Sequence, residues 1–271
     1  MLNRLVGTGA GQALLTLRGW TELRALSYTN PEKAAMVANG VIADRLIARL
    51  CPGGGVFVDV GAHVGSVFST VHHHDKSIRI LAVEADPDKV VSLRQRFSYC
   101  ELHECAVGES PGETTFYMNP AKTGYNSLAV SDATGLVERQ VQVRRLDDLF
   151  DGVRVDVMKM DIEGAELGAL RGAAALIARA APVIMFESAG LAVNSLGYSA
   201  AALWEWLAGA GYQICTPDRL AHDAPPLSQD AFLDAHHYPM RTHNFFAVPP
   251  EQRTRVRDRA RAILGVDAGG P

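Results

Sequence analysis

The sequence predicts an α/β fold built on a mostly parallel, seven-stranded sheet with helices on both faces. Three observations predict it. Short apolar runs alternate with longer amphipathic stretches from Val56 onward. The first run opens into a turn bracketed by Gly61 and Gly65. Carboxylates fall at or just beyond the ends of several runs, at Asp59, Glu84, Asp161 and Glu187. Strands that alternate with helices imply parallel pairing with both faces covered. Sheets of that kind bind ligands beyond the carboxyl ends of their strands.

The elements follow in order. Residues 12–50 read as helices with a break near Asn30-Pro31. Val56–Val60 is a short apolar run, hence a buried strand, and a helix follows Gly65. Ile78–Val83 is the second strand, and Pro87 opens a helix to about Phe97, with proline suited to a first turn. Leu102–Val107 is the third strand. Residues 111–145 interrupt the rhythm, with Thr114–Met118 and Val141–Arg145 as an inserted antiparallel hairpin. Alternation then resumes with strand Val155–Met160, helix Ala165–Ala180 and strand Val183–Phe186. Helix Leu203–Ala210 and strands Gln213–Cys215 and Phe245–Val248 complete the sheet. The last helix, 253–264, places Val256, Ala260, Ile263 and Leu264 on one face. Three regions result: an N-terminal helical segment or lid at 1–52, an α/β domain at 53–250, and a C-terminal helix and tail at 251–271.

Composition narrows the function. Hydrophobic residues make up 48% and charged residues 21% of the chain, and the net charge is -4. No basic excess exists to neutralise phosphates, so no nucleic-acid partner is expected. No membrane partner is expected either, because the apolar stretch from Ala165 to Phe186 is cut by Arg171, Arg179 and Pro182. The N-terminus lacks the compact apolar core of a signal peptide. Cys51, Cys100, Cys105 and Cys215 form neither a CxxC pair nor a disulfide framework, which points to a cytoplasmic protein.

Residues 59–65 read Asp-Val-Gly-Ala-His-Val-Gly. Gly61 permits a tight turn close to a ligand, and Gly65 lets the next helix start against the strand. Asp59 would repel a dinucleotide pyrophosphate but suits a cationic ligand. His63 stands where a dinucleotide fingerprint has its middle glycine, which disfavours a nicotinamide oxidoreductase. A plain strand–helix turn without a ligand is the bland alternative, since short glycine motifs are weak. Glu84 lies 23 residues after Gly61, a distance at which an acid takes the two hydroxyls of a ribose. Asp86 is placed to reach a base edge, to cap the next helix, or both.

Residues 158–166 read Met-Lys-Met-Asp-Ile-Glu-Gly-Ala-Glu. Alternation puts Lys159 and Asp161 on one side of the strand. A lysine inside an apolar strand is costly unless paired, so Lys159 is expected among Asp59, Asp161 and Glu187 in a structural role. Asp161 and Glu163 then line the pocket mouth, although helix capping would account for one of them. Elsewhere, His72-His73-His74-Asp75 does not make a metal site, because consecutive helical residues do not share a face. Cys100, His103 and Cys105 lack a fourth ligand.

The runs Asp59–Gly65, Glu84-Ala85-Asp86, Glu104–Gly108, Asn126-Ser127-Leu128, Leu146–Leu149, Lys159–Glu166 and Phe186-Glu187 occur in this order. Together they resemble the FkbM methyltransferase family over residues 53–190, roughly half the chain. The block Lys-x-Asp-x-Glu-Gly-Ala-Glu is the most specific part. One departure is Ala85, where the family often has proline. The resemblance implies a Rossmann-like fold, S-adenosylmethionine as donor and a hydroxyl of a small natural product or sugar as acceptor. It implies donor contacts at Asp59, Gly61, Ala62, His63, Gly65, Glu84, Ala85, Asp86, Cys105, Ala106 and Asp161. It also raises Tyr125, Asn126 and Ser127 from solvated turn residues to acceptor contacts.

The proton acceptor in such a transfer is His243 or a carboxylate among Asp161, Glu163 and Glu187. His243 is favoured because its ordinary pKa lies near neutrality, and Asn244 beside it is a further acceptor contact. A divalent cation such as Mg on Asp161 and Glu163 is a substitute that is not expected. The expected partner is a small-molecule acceptor, with a homodimer left open. Rival readings are N- or carboxyl methylation at the same donor site, and a non-catalytic S-adenosylmethionine-binding subunit.

Overall fold

A computed structural model of the chain describes residues 6, 8–118, 128, 136–188, 190, 194 and 196–266. Helix α1 (Gly9–Thr29) starts at Thr8, whose hydroxyl oxygen accepts from the Gly11 N–H. Helix α2 (Pro31–Leu50) starts at Asn30, which ends one helix and caps the next. That is the expected break. Then come β1 (Val56–Val60), α3 (Ser66–His74), β2 (Arg79–Glu84), α4 (Pro87–Arg96) and β3 (Cys100–Glu104). Next come β4 (Ala106–Val107) and, from the insert, β5 (Gly112–Met118) and β6 (Val137–Arg144), followed by the single turn α5 (Leu146–Leu149). Next are β7 (Val157–Met160), α6 (Glu166–Arg171), α7 (Ala174–Ala180), β8 (Val183–Glu187) and α8 (Ala200–Gly209). The chain closes with β9 (Gln213–Cys215), a 3-10 turn at Asp218–Ala221, α9 (Gln229–Asp234), β10 (Asn244–Val248) and α10 (Arg253–Leu264).

The main sheet has seven strands in the order β3-β2-β1-β7-β8-β10-β9. Its first five strands are parallel, and β10 runs antiparallel to both of its neighbours. Alternation divides the core. Val58, Val60, Met158 and Met160 face α6 to α9, while Phe57, Val157 and Met185 face α2, α3 and α10. A fully buried large apolar side chain such as Phe57 contributes about 1.5–3 kcal/mol. The segment expected as a lid supplies Ala43, Leu46, Ile47 and Leu50 of α2 to this second core. Among the described residues, no helix is long and apolar enough to cross a membrane.

Two expected elements are corrected. The third strand ends at Glu104, and Ala106–Val107 leaves the main sheet to pair with β6 in a separate three-stranded sheet, β4-β6-β5. The single helix expected over Ala165–Ala180 is two helices. The Asp147 carboxylate accepts from the N–H groups of Ala175 and Leu176 and so caps the second half as a helix of its own. The close approach of Gly172 to the Gly108 carbonyl fixes the joint, because a Cβ there would lie 2.1 Å from that oxygen.

Candidate functional site

The loops after β1, β2, β3, β7 and β8 meet at one edge of the sheet. Gly61 is where the first of them passes the fourth. Its φ is +81°, and a Cβ would lie 2.0 Å from the Asp161 carbonyl oxygen. Two non-glycine residues at this edge also adopt left-handed backbone, His63 at φ 52° and Glu163 at φ 54°. Such conformations cost on the order of 1–3 kcal/mol each and gather at functional sites.

Lys159 ties the loops together. Its ammonium donates to the Gly61 carbonyl at 3.0 Å and lies 3.4 Å from Asp59 and 3.3 Å from Asp161. Burial opposes the charged ammonium, but the carboxylates of Asp161 and Asp59 outweigh it and hold the lysine protonated. Two of the three carboxylates expected around it, Asp59 and Asp161, are in reach, while Glu187 bonds to Asp161 instead. Asp59 is fully buried, and its other oxygen accepts from the Phe68 N–H in the first turn of α3. It lies beneath the glycine turn and does not line the cavity above. Burial raises its pKa, against the pull of Lys159.

That cavity measures about 190 Å³. Gly61, His63, Glu84, Asp161 and Ile162 line it together with Ala85, Cys105, Ala106, Val107, Phe116 and Leu128. The Glu84 oxygens accept from the N–H groups of His63 at 2.6 Å and Asp86 at 2.9 Å. A carboxylate has about four lone-pair sites, so two backbone donors orient Glu84 and leave capacity for a diol. Burial pushes its pKa up, opposed by Lys89. His63 is held neutral, with its pKa lowered to about 4 by burial and then by Lys89.

A second cavity, of about 330 Å³, opens beside the first beyond β7 and β8. Glu187, Ser188, Asn194, Tyr198 and Leu203 line it, and Glu163 lines both cavities. Burial and then Asp161 and Glu166 raise the Glu163 pKa to about 7. Burial pushes Asp161 up, but Lys159 and a hydrogen bond with Glu187 overcome this and hold it below its ordinary value. Glu187 is displaced the opposite way, by burial and then by Asp161. The two shifts run in opposite directions across one hydrogen bond, favouring the ionised form of Asp161 and the protonated form of Glu187. Oxygens of Asp161, Glu163 and Glu187 lie within 4.8 Å of one another, so Glu187 stands with the two acids named as an alternative cation site that is not expected. Glu166 stiffens the loop, because one of its oxygens accepts from the N–H groups of Ile162 and Gly164.

The remaining expected residues are distributed as follows. Gly65 packs against Phe68 and Phe97, where a Cβ would lie 2.7 Å from each ring. Asp86 caps α4 through the Asp88 and Lys89 N–H groups. Neither these two nor Ala62 lines either of the two cavities. His243 and Asn244 sit at the start of β10, with Asn244 in register with Glu187 and the His243 carbonyl accepting from the Ser188 N–H. They line neither cavity. Burial lowers the His243 pKa. Tyr125, Asn126 and Ser127 lie outside the described residues. His72 stacks on Tyr99 at 3.6 Å between ring centroids.

Sequence reasoning passed over Phe116, Lys89, Ile162 and Glu166. Glu166 alone left a signal, as an acid in a first helical turn able to reach back to free N–H groups.

Residues 59–214, more than half the chain, match the Methyltransferase FkbM domain family. "Methyltransferase 1" of Beauveria bassiana (strain ARSEF 2860) is 26% identical over 147 residues, 45% of this chain and 59% of that protein. A solved FkbM methyltransferase from Methylobacillus flagellatus KT overlays with a TM-score of 0.44 at 21% identity, over 71% of this chain and 43% of that one. A methyltransferase from Thiobacillus denitrificans in complex with S-adenosyl-L-homocysteine overlays with a TM-score of 0.32 at 14% identity, over 81% of this chain and 86% of that one. The chain thus spans under two thirds of the length of the first two relatives.

Proposed function

Since the chain belongs to the FkbM methyltransferase family, whose donor is S-adenosylmethionine, we propose that it methylates a hydroxyl of a small natural product or sugar. The carrying observation is the pair of adjoining cavities that share Glu163. The first fits the nucleoside half of the donor, with Glu84 set for the ribose diol and Gly61 in the cavity wall beside it. The second takes the acceptor. When bound, the donor supplies an electrophilic methyl group on a sulfonium.

This chain's residues then orient and deprotonate. Lys159 fixes Asp161 and the glycine turn, so the donor-side loops keep one geometry. Glu163 stands between the cavities and takes the hydroxyl proton as the acceptor oxygen bonds to the methyl carbon and the carbon–sulfur bond breaks. Its pKa of about 7 suits a base working near neutrality. His243, which lines neither cavity, is set aside for this role. Four free thiols suit a reducing cytoplasm as the place of action.

The test is methyl-labelled S-adenosylmethionine incubated with panels of polyols, sugars, amines and carboxylic acids. Label should enter alcohols as an ether. Label in amines or acids alone would replace this reading with N- or carboxyl methylation.

A further inference from the structure

Only the loop residues Tyr125, Asn126 and Ser127 of the insert are expected at the acceptor, and the apolar face of its sheet is a wall of the first cavity. Phe116 and Met118 of β5, Val141 of β6 and Ala106 of β4 form a small core of their own, with Ala85 and Leu128 packed against it. Phe116, Leu128, Ala106 and Ala85 from this group line the cavity. Glu84 and the glycine turn line the same cavity. The lining therefore combines two chemistries. Glu84 offers lone pairs for hydroxyls, and the insert offers flat apolar contact. A nucleoside has that same pairing, with a diol on the sugar and a planar base beside it.

We propose that the insert is part of the donor site and that Phe116 packs against the face of the adenine. This rests on the reading of the first cavity as the donor's. Phe116 is only 6% exposed and is anchored within the small core, so its ring is held in place before ligand arrives. The insert would then select for a purine-bearing donor, independently of what it does for the acceptor.

Calorimetry with S-adenosylhomocysteine and with 5′-methylthioadenosine, which lacks the amino-acid end, tests this. Phe116→Ala should weaken both by the same factor, about ten- to hundredfold, the loss expected when a base loses an aromatic partner. Phe116→Tyr, which keeps the ring, should restore binding. Val141→Ala injures the same small core without touching the cavity and should leave both affinities near wild type. If Phe116→Ala does not fold, Phe116→Leu carries the test, filling the core without a flat ring. Unchanged affinity in a folded Phe116→Ala or Phe116→Leu variant overturns the proposal, as does an equal loss in Val141→Ala. Absence of any binding by the wild-type protein would instead remove the donor reading itself.

Discussion

The Lys159 ammonium lies 3.4 Å from Oδ1 of Asp59, and both side chains are withdrawn from solvent. Breaking such a pair leaves a buried charge without its partner and costs about 3–5 kcal/mol. Lys159→Met should therefore unfold at markedly lower denaturant. Asp59→Asn added to it should recover part of the loss. Chemical denaturation followed by circular dichroism measures both. A neutral Lys159→Met would contradict the role of Lys159 as the tie between the loops.

Glu163 governs the pH dependence. A base works in its ionised form, so with the donor saturating, the rate should rise with pH through about 7. Glu163→Gln should slow turnover of an alcohol acceptor by ~100- to 10,000-fold and leave S-adenosylhomocysteine binding close to wild type. His243→Ala should be mild. A severe His243→Ala defect with an active Glu163→Gln enzyme would return the role to the histidine.

Glu166 makes stability depend on pH. Burial raises its carboxyl from 4.5 to about 7 in the folded protein. A group that binds its proton more tightly when folded contributes stability fully below its unfolded pKa, and that contribution is lost as pH rises through the folded value. Stability of the ligand-free protein should thus decline between about pH 4.5 and 7 through this group. Glu166→Gln keeps an acceptor for the Ile162 and Gly164 N–H groups and should flatten that decline. An unchanged slope in thermal melts would show that the carboxyl is not the source.

Gly61→Ala should abolish donor binding. The added methyl meets the Asp161 carbonyl at 2.0 Å, and φ is +81°, so both loops must move. Loss of stability should exceed about 1 kcal/mol. A variant that binds S-adenosylhomocysteine normally would mean that the two loops do not meet as described.

The sheet was legible because its central strands are buried on both faces and read as short apolar runs, unbroken at Val183–Phe186 and interrupted only by Asp59 at Val56–Val60. Lys159 was legible by its cost, since an unpaired lysine between two methionines has no apolar alternative. Asp59 was not, because sequence places it at a strand end without saying whether it points up to a ligand or down to Phe68 and Lys159. The break between α6 and α7 depends on Asp147, some 27 residues upstream of Ala174, and no local pattern announces it. Phe116 is hidden for the same reason. Alternation in β5 marks it as inward-facing, but which cavity it faces is decided by the packing of the β4-β6-β5 sheet against Ala85 and Leu128.

Glu84 offers the most direct measurement of the central claim, that the first cavity holds S-adenosylmethionine. Titration calorimetry should find saturable binding of S-adenosylhomocysteine to the wild-type chain and none of NAD. Glu84→Gln should weaken S-adenosylmethionine and S-adenosylhomocysteine alike, by about ten- to hundredfold, because both carry the ribose and the lost charge strengthens hydrogen bonds to its hydroxyls. Binding of NAD without S-adenosylhomocysteine, or wild-type affinity in a folded Glu84→Gln variant, would contradict it.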